Sequence, residues 1–146
     1  MKNVYELKFN ANVSDYGNLI PIESSQNVFW GGKGIPFLIK RVYYIYNVPS
    51  DIRRGFHAHI NLHQVLICIH GSVNILTKTP FEEKTTILNN PMKGLYIGPM
   101  IWREMYDFSD DAVLLVLASE HYSESDYIRD YSKFEVLARK NFKEVE

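Results

Sequence analysis

Between Phe37 and Ala118 the chain is a succession of short runs rich in β-branched and aromatic residues, cut at close intervals by Gly, Pro and Asn turn signals. Such spacing leaves no room for the helices of an alternating βα fold and predicts an all-β barrel or jelly roll. The longest run, Phe37 to Val48, reads as one strand closed by Pro49-Ser50-Asp51. Val65 to His70 is almost continuously apolar and ends at Gly71. Ser72–Lys78, Lys84–Leu88, Gly94–Pro99, Trp102–Phe108 and Ala112–Ala118 follow, separated by Pro80, by Asn89-Asn90-Pro91 and by Ser109-Asp110-Asp111. The last of these reads as a buried strand.

The two ends differ from this centre. Val4 to Phe9 alternates and reads as a first strand. Asn10 to Asn18 is polar, and Leu19-Ile20-Pro21-Ile22 suits an edge strand, since proline donates nothing to a ladder. Val28-Phe29-Trp30 then runs into the loop Gly31-Gly32-Lys33-Gly34, which lacks the Lys-Ser/Thr ending of a phosphate-cradling loop. At the other end, Ser123-Glu124-Ser125-Asp126 has the form of a capping box. Tyr127, Ile128, Tyr131, Phe134, Leu137 and Ala138 recur near helical spacing after it. Arg139 and Lys140 stand where a helix dipole favours cations. A C-terminal helical segment packed on the sheet is therefore expected.

A chain of 146 residues with 46% hydrophobic side chains can bury its own core, and residues 1–146 are expected to form one domain. The net charge of -1 provides no basic stripe for nucleic acid. The single cysteine, Cys68, lies in an apolar run, and the N-terminus lacks a signal-peptide core. Both features point to a reducing, cytoplasmic setting with no membrane association. A closed sheet leaves an open mouth, where small ligands bind.

Four of the five histidines fall between Arg53 and Gly71. His57 and His59 are two apart, so in a strand their imidazoles share a face. Read as a metal site, His57-x-His59 with Gln64 five residues on has the spacing of a first cupin motif. Metal-binding cupins usually carry a carboxylate at the position of Gln64 and another histidine in a second motif. Here that motif, near Gly94 to Glu104, offers Trp102, Arg103 and Glu104 but no histidine. Two good ligands are missing, and no metal or other cofactor is expected. Free imidazoles instead suit proton transfer near neutrality. Burial lowers a histidine pKa, and Arg54 beside the pair is expected to lower it further, leaving a neutral base. Tyr43 and Arg41 share one face of their strand by parity. His63, His70 and His121 fit structural or exposed roles. Trp102 and Tyr16 could either pack or stack on a base.

The segment Arg54-Gly55-Phe56-His57-Ala58-His59, with Gln64 to Ser72, resembles the sugar-nucleotide 3,4-ketoisomerases, the WxcM-like cupins. The resemblance extends through Arg41 to Pro49, Gly94 to Pro99 with Trp102-Arg103, Ala112 to Ser119 with Tyr122, and Asp126 to Arg129. It covers about Phe37 to Phe134. One departure is Ile60-Asn61-Leu62-His63, where a lysine is expected directly after His59. The resemblance implies a metal-free cupin barrel that moves the carbonyl of dTDP-4-keto-6-deoxyglucose from C4 to C3, in the making of dTDP-linked 3-amino-deoxy sugars for surface glycans. It also implies a homodimer with exchanged N-terminal strands and a thymidine diphosphate held at the barrel mouth.

Carbonyl migration requires a base for the proton on C3, support for the enediolate, and proton delivery to C4. His57 is assigned as the carbon acid/base and His59 as the partner serving the oxygens. Tyr43 and Arg54 orient the sugar or stabilise negative charge. Arg41 and Gln64 are substrate-binding candidates, and Arg103 and Trp102 are candidates for the diphosphate and the base. A dTDP-sugar 3,5-epimerase, a metal-dependent cupin oxygenase and a non-catalytic sugar-nucleotide binding module are the alternatives.

Overall fold

A computed structural model describes residues 1–25 and 34–142. The stretch Val28-Phe29-Trp30 and the Gly31–Lys33 part of the glycine loop lie outside these described residues. The strands are β1 (Val4–Lys8), β2 (Asn12–Ser14), β3 (Gly17–Leu19), β4 (Arg41–Tyr46), β5 (Arg54–His59), β6 (Gln64–His70), β7 (Val73–Lys78), β8 (Glu83–Leu88), β9 (Lys93–Ile97), β10 (Trp102–Tyr106), β11 (Val113–Ala118) and β12 (Tyr127–Ile128). Among the described residues one α-helix, α1 (Tyr131–Ala138), follows.

Two five-stranded antiparallel sheets carry the fold, in the orders β1-β9-β6-β11-β4 and β12-β5-β10-β7-β8. They face each other as a jelly roll of the cupin type and are not closed into a continuous hydrogen-bonded barrel. Alternation along each strand fills the space between them. Leu66 and Cys68 of β6, Leu114 and Val116 of β11, Ile75 of β7 and Leu95 and Ile97 of β9 share this inner core.

The unbroken apolar run of β6 has a separate explanation. Its other face, Val65 and Ile67, packs under Phe9, Ile35, Ile20, Ile22, Phe37 and Ile39, which cross the back of the first sheet. A strand buried on both faces needs no polar alternation. Edge strand β4 is covered on one side only, so Arg41, Tyr43 and Ile45 are partly buried while Val42, Tyr44 and Tyr46 are exposed.

Three expectations change. The long strand from Phe37 begins only at Arg41, because Phe37 and Ile39 serve the back-face cluster instead of a ladder. The polar stretch after β1 forms the small hairpin β2–β3, and the edge strand expected at Leu19–Ile22 reaches only Leu19. The helix starts later than the capping-box motif implied. Glu124–Asp126 is a 3-10 turn, Ser123 makes no side-chain cap, and Tyr127–Ile128 pairs with β5 as strand β12. Asp130 is the true N-cap, its carboxylate accepting from the Ser132 and Lys133 amides. No described helix is long and apolar enough to cross a membrane.

Candidate active site

The site sits on the β5 end of the second sheet, facing β4 and β6 of the first. Its geometry begins with a bulge. Arg103 of β10 pairs with His57 and Glu104 with Gly55, so Phe56 is the extra residue. Gly55 and Phe56 both have positive φ, at 96° and 54°. A Cβ on Gly55 would stand 2.8 Å from the Arg103 carbonyl oxygen, so glycine is required there. Beyond the bulge the strand is regular. His57 and His59 share a face, with ring centroids 4.9 Å apart and planes nearly perpendicular.

Hydrogen bonding fixes the protonation of both rings. His57 Nδ1 lies 3.0 Å from the Gly55 carbonyl oxygen, which can only accept. His59 Nδ1 lies 3.1 Å from the Asp126 carboxylate. Each Nδ1 therefore carries the proton, and each Nε2 is left as the acceptor. The Nε2 of His59 is buried with no partner among the described residues. Burial, then the charge of Arg103, lowers the pKa of His57 to about 4. The same two causes, followed by the neighbouring His57, hold His59 well below the usual histidine range. Both imidazoles are neutral at pH 7.

The depressing guanidinium is thus Arg103, and not Arg54 as the sequence suggested. Arg103 is almost fully buried, and burial lowers its own pKa to about 10. It donates to the Gln64 side-chain oxygen and, over 3.0 Å, to the Ile101 carbonyl. Gln64 in turn donates from Nε2 to the Tyr43 hydroxyl at 3.1 Å. Gln64 is committed at both ends of its amide, which leaves it unsuited to ligating a metal. A buried guanidinium beside the imidazoles also opposes any cation placed there. Among the described residues, no three His, Cys, Asp or Glu side chains converge as a metal-binding group.

Two adjoining cavities open on this constellation. One, of about 360 Å³, is lined by His57, Tyr43, Arg54, Met105 and Arg129. The other, of about 500 Å³, is lined by His59, Asn61, Glu120, His121, Ser123 and Asp126. Arg41, Tyr122 and Tyr127 line both. The Tyr127 ring lies 4.9 Å from His57 and 4.4 Å from His59, so it packs against both imidazoles. Arg41 lies over the rings of Tyr43 and Tyr122.

Of the eight residues singled out from the sequence, His57, His59, Tyr43, Arg54 and Arg41 line the cavities. Gln64 and Arg103 stand behind them, buried and linked to Tyr43. Trp102 does not join them. It is 4% exposed, packs against Tyr131 and Phe134 of α1, and donates from its indole to Glu104 over 2.9 Å. Neighbours in a strand point to opposite faces, so Trp102 and Arg103 cannot both face the cavity. His63 bonds the Tyr96 hydroxyl at 2.6 Å, and His70 is exposed. Tyr127, Asp126, Tyr122 and Arg129 enter the site through the tail. The short β-pairing of Tyr127 with His59 was masked in the sequence by a helix-like period.

The chain is similar to proteins of one family. The family model described as FdtA, WxcM-like, C-terminal, matches residues 3–139. The TDP-4-oxo-6-deoxy-alpha-D-glucose-3,4-oxoisomerase of Aneurinibacillus thermoaerophilus is 44% identical over 128 residues, which are 88% of this chain and 87% of that protein. A mutant of the 3,4-ketoisomerase QdtA from Thermoanaerobacterium thermosaccharolyticum, solved with TDP-4-keto-6-deoxyglucose, is 53% identical with a TM-score of 0.91, covering 99% of each chain. The WlaRB TDP-quinovose 3,4-ketoisomerase from Campylobacter jejuni is 43% identical with a TM-score of 0.84, covering 93% of this chain and 99% of its own.

Proposed function

The chain belongs to the FdtA, WxcM-like family, and from that membership we propose that it is a sugar-nucleotide 3,4-ketoisomerase whose substrate is dTDP-4-keto-6-deoxyglucose. The carrying observation is the His57–His59 pair, two neutral imidazoles whose Nδ1 atoms are hydrogen bonded so that Nε2 is left as the acceptor, set beside a buried arginine and a tyrosine.

The reaction moves a carbonyl one carbon along the ring with no net oxidation. His57 removes the proton from C3, and the electron pair of that C–H bond forms the C3–C4 double bond as the C4 ketone becomes an enediolate oxygen. Return of a proton to C4, with transfer of the C3 hydroxyl proton to the C4 oxygen, leaves the ketone at C3 and a hydroxyl at C4. A positioned base contributes about 10²–10⁴-fold to such a step. Stabilising the enediolate supplies much of the rest.

Tyr43 suits that second task. Its hydroxyl accepts from Gln64, so its own proton is free for the cavity. Burial raises its pKa, which keeps it protonated. Arg54 and Arg41 line the cavity where sugar and diphosphate oxygens need cations. Arg103 acts from behind, keeping the imidazoles neutral and Gln64 oriented. His59 serves the sugar oxygens through its unpartnered Nε2.

The chain works as one cupin domain in a cytoplasmic homodimer. Support for the dimer comes from hairpin β2–β3, whose Val13, Tyr16 and Leu19 are all exposed. Strand β1 pairs with β9 of its own chain, so the hairpin is the N-terminal strand pair available for exchange. NMR of the product from dTDP-4-keto-6-deoxyglucose tests the reading. A C3 ketone supports it, while an unshifted ketone with inverted C3 and C5 indicates an epimerase.

A further inference from the structure

Asp126 closes the tail's 3-10 turn and is held from several directions. One carboxylate oxygen accepts from the Asn61 amide at 2.8 Å. The other accepts from the Leu62 amide at 3.3 Å and faces His59 Nδ1 at 3.1 Å. Its backbone carbonyl accepts from the Ile60 amide at 2.9 Å. The carboxylate is therefore pinned by the β5–β6 loop before it meets the imidazole. It has no freedom to turn away, and its two oxygens offer only acceptors.

We propose that Asp126 is a positioning residue for the isomerisation, acting through His59. It forces the His59 proton onto Nδ1 and so turns Nε2, buried and unpartnered, into the acceptor that faces substrate. When Nε2 takes a proton from a sugar hydroxyl, the ring becomes an imidazolium. The Asp126 carboxylate, hydrogen bonded to the opposite nitrogen, stabilises that cation, and the same proton returns to the neighbouring sugar oxygen. Such support matters here because burial and Arg103 both work against a charged His59. His57 has only the Gly55 carbonyl behind it. The two histidines are thus built differently, one backed by a neutral acceptor and one by a carboxylate.

This inference rests on the ketoisomerase reading for its catalytic consequence, but not for its structural one. Asp126→Asn separates the two. An amide replaces one acceptor oxygen with an NH₂ group that only donates. It cannot accept from Asn61, Leu62 and His59 Nδ1 together, so the His59 proton is expected to shift to Nε2. Imidazole ¹⁵N spectra of the substrate-free full chain should show His59 as the Nδ1–H form in the wild type and as the Nε2–H form in Asp126→Asn. With dTDP-4-keto-6-deoxyglucose, kcat should fall by about 10²–10⁴ with KM nearly unchanged. A role confined to clipping the loop would lower the melting temperature and leave the tautomer and kcat as they were. That result, or a wild-type His59 carrying its proton on Nε2, overturns the inference. The wild-type spectrum needs no variant to fold. A wild type that shows the Nδ1–H form yet fails to turn over the substrate overturns the ketoisomerase reading instead.

Discussion

The side-chain amide of Gln64 donates to the hydroxyl of Tyr43 across 3.1 Å, while its oxygen accepts from the buried guanidinium of Arg103. Gln64 thus links the buried arginine to the tyrosine. Tyr43→Phe removes only the hydroxyl. It should reduce kcat by about 10²–10³, the usual effect of deleting one oxyanion donor, with the fold and KM little altered. Steady-state kinetics on the two proteins decides the matter. A Tyr43→Phe enzyme with normal kcat removes Tyr43 from the chemistry.

The pH dependence follows from the histidines. A base with its pKa lowered to about 4 stays neutral far below the ordinary histidine range. The acid limb of kcat/KM should therefore lie near pH 4 and not near 6.5. Stability has the same origin. An unfolded chain protonates His57 below its ordinary pKa of 6.5, whereas the folded chain resists until about 4. The unfolded state binds more protons in that window, so stability is fully present above pH 6.5 and declines as pH falls toward 4. Urea midpoints measured across the window should show the decline, reduced in His57→Asn.

Arg103→Met lifts a positive charge from both imidazoles. The pKa values of His57 and His59 should rise, moving the acid limb toward neutrality. Gln64 loses the donor to its oxygen, which costs about 1–3 kcal/mol. The pH profile of this variant, compared with the wild type, reads the effect directly. An unmoved limb would mean that Arg103 does not set the histidine pKa.

Trp102 is placed for packing and not for nucleotide binding. Its ring meets Tyr131 edge-on at 5.1 Å and Phe134 at 5.7 Å. Trp102→Ala should cost roughly 3–5 kcal/mol of stability by loosening α1 from β10. Substrate affinity of the protein that remains folded should be little changed. Isothermal titration with dTDP alongside thermal denaturation separates the two effects.

Much of this site could be read from the chain because strands alternate. Parity alone placed His57 beside His59 and Tyr43 beside Arg41, and the turn residues marked most strands. The same parity separates Trp102 from Arg103, although both had been expected to contact the nucleotide. What the sequence concealed came from longer range. The bulge at Phe56 depends on the approach of Gly55 to Arg103. The positive charge that keeps the imidazoles neutral comes from Arg103 of β10 and not from the neighbouring Arg54. Asp126 stood in a run that looked like a helix start, because Ser-x-x-Asp has the same spacing whether its acid bonds a backbone amide or a distant histidine. The hairpin β2–β3 carries little apolar patterning and so gave no signal.

The central claim is that His57 carries protons at carbon. Turnover of dTDP-4-keto-6-deoxyglucose in D₂O, followed by NMR of the product, tests it most directly. The wild type should deliver a 3-keto product with deuterium at C4, and His57→Asn, still folded, should show neither carbonyl migration nor deuterium at C3 or C4. Incorporation at the normal rate in His57→Asn would contradict the account.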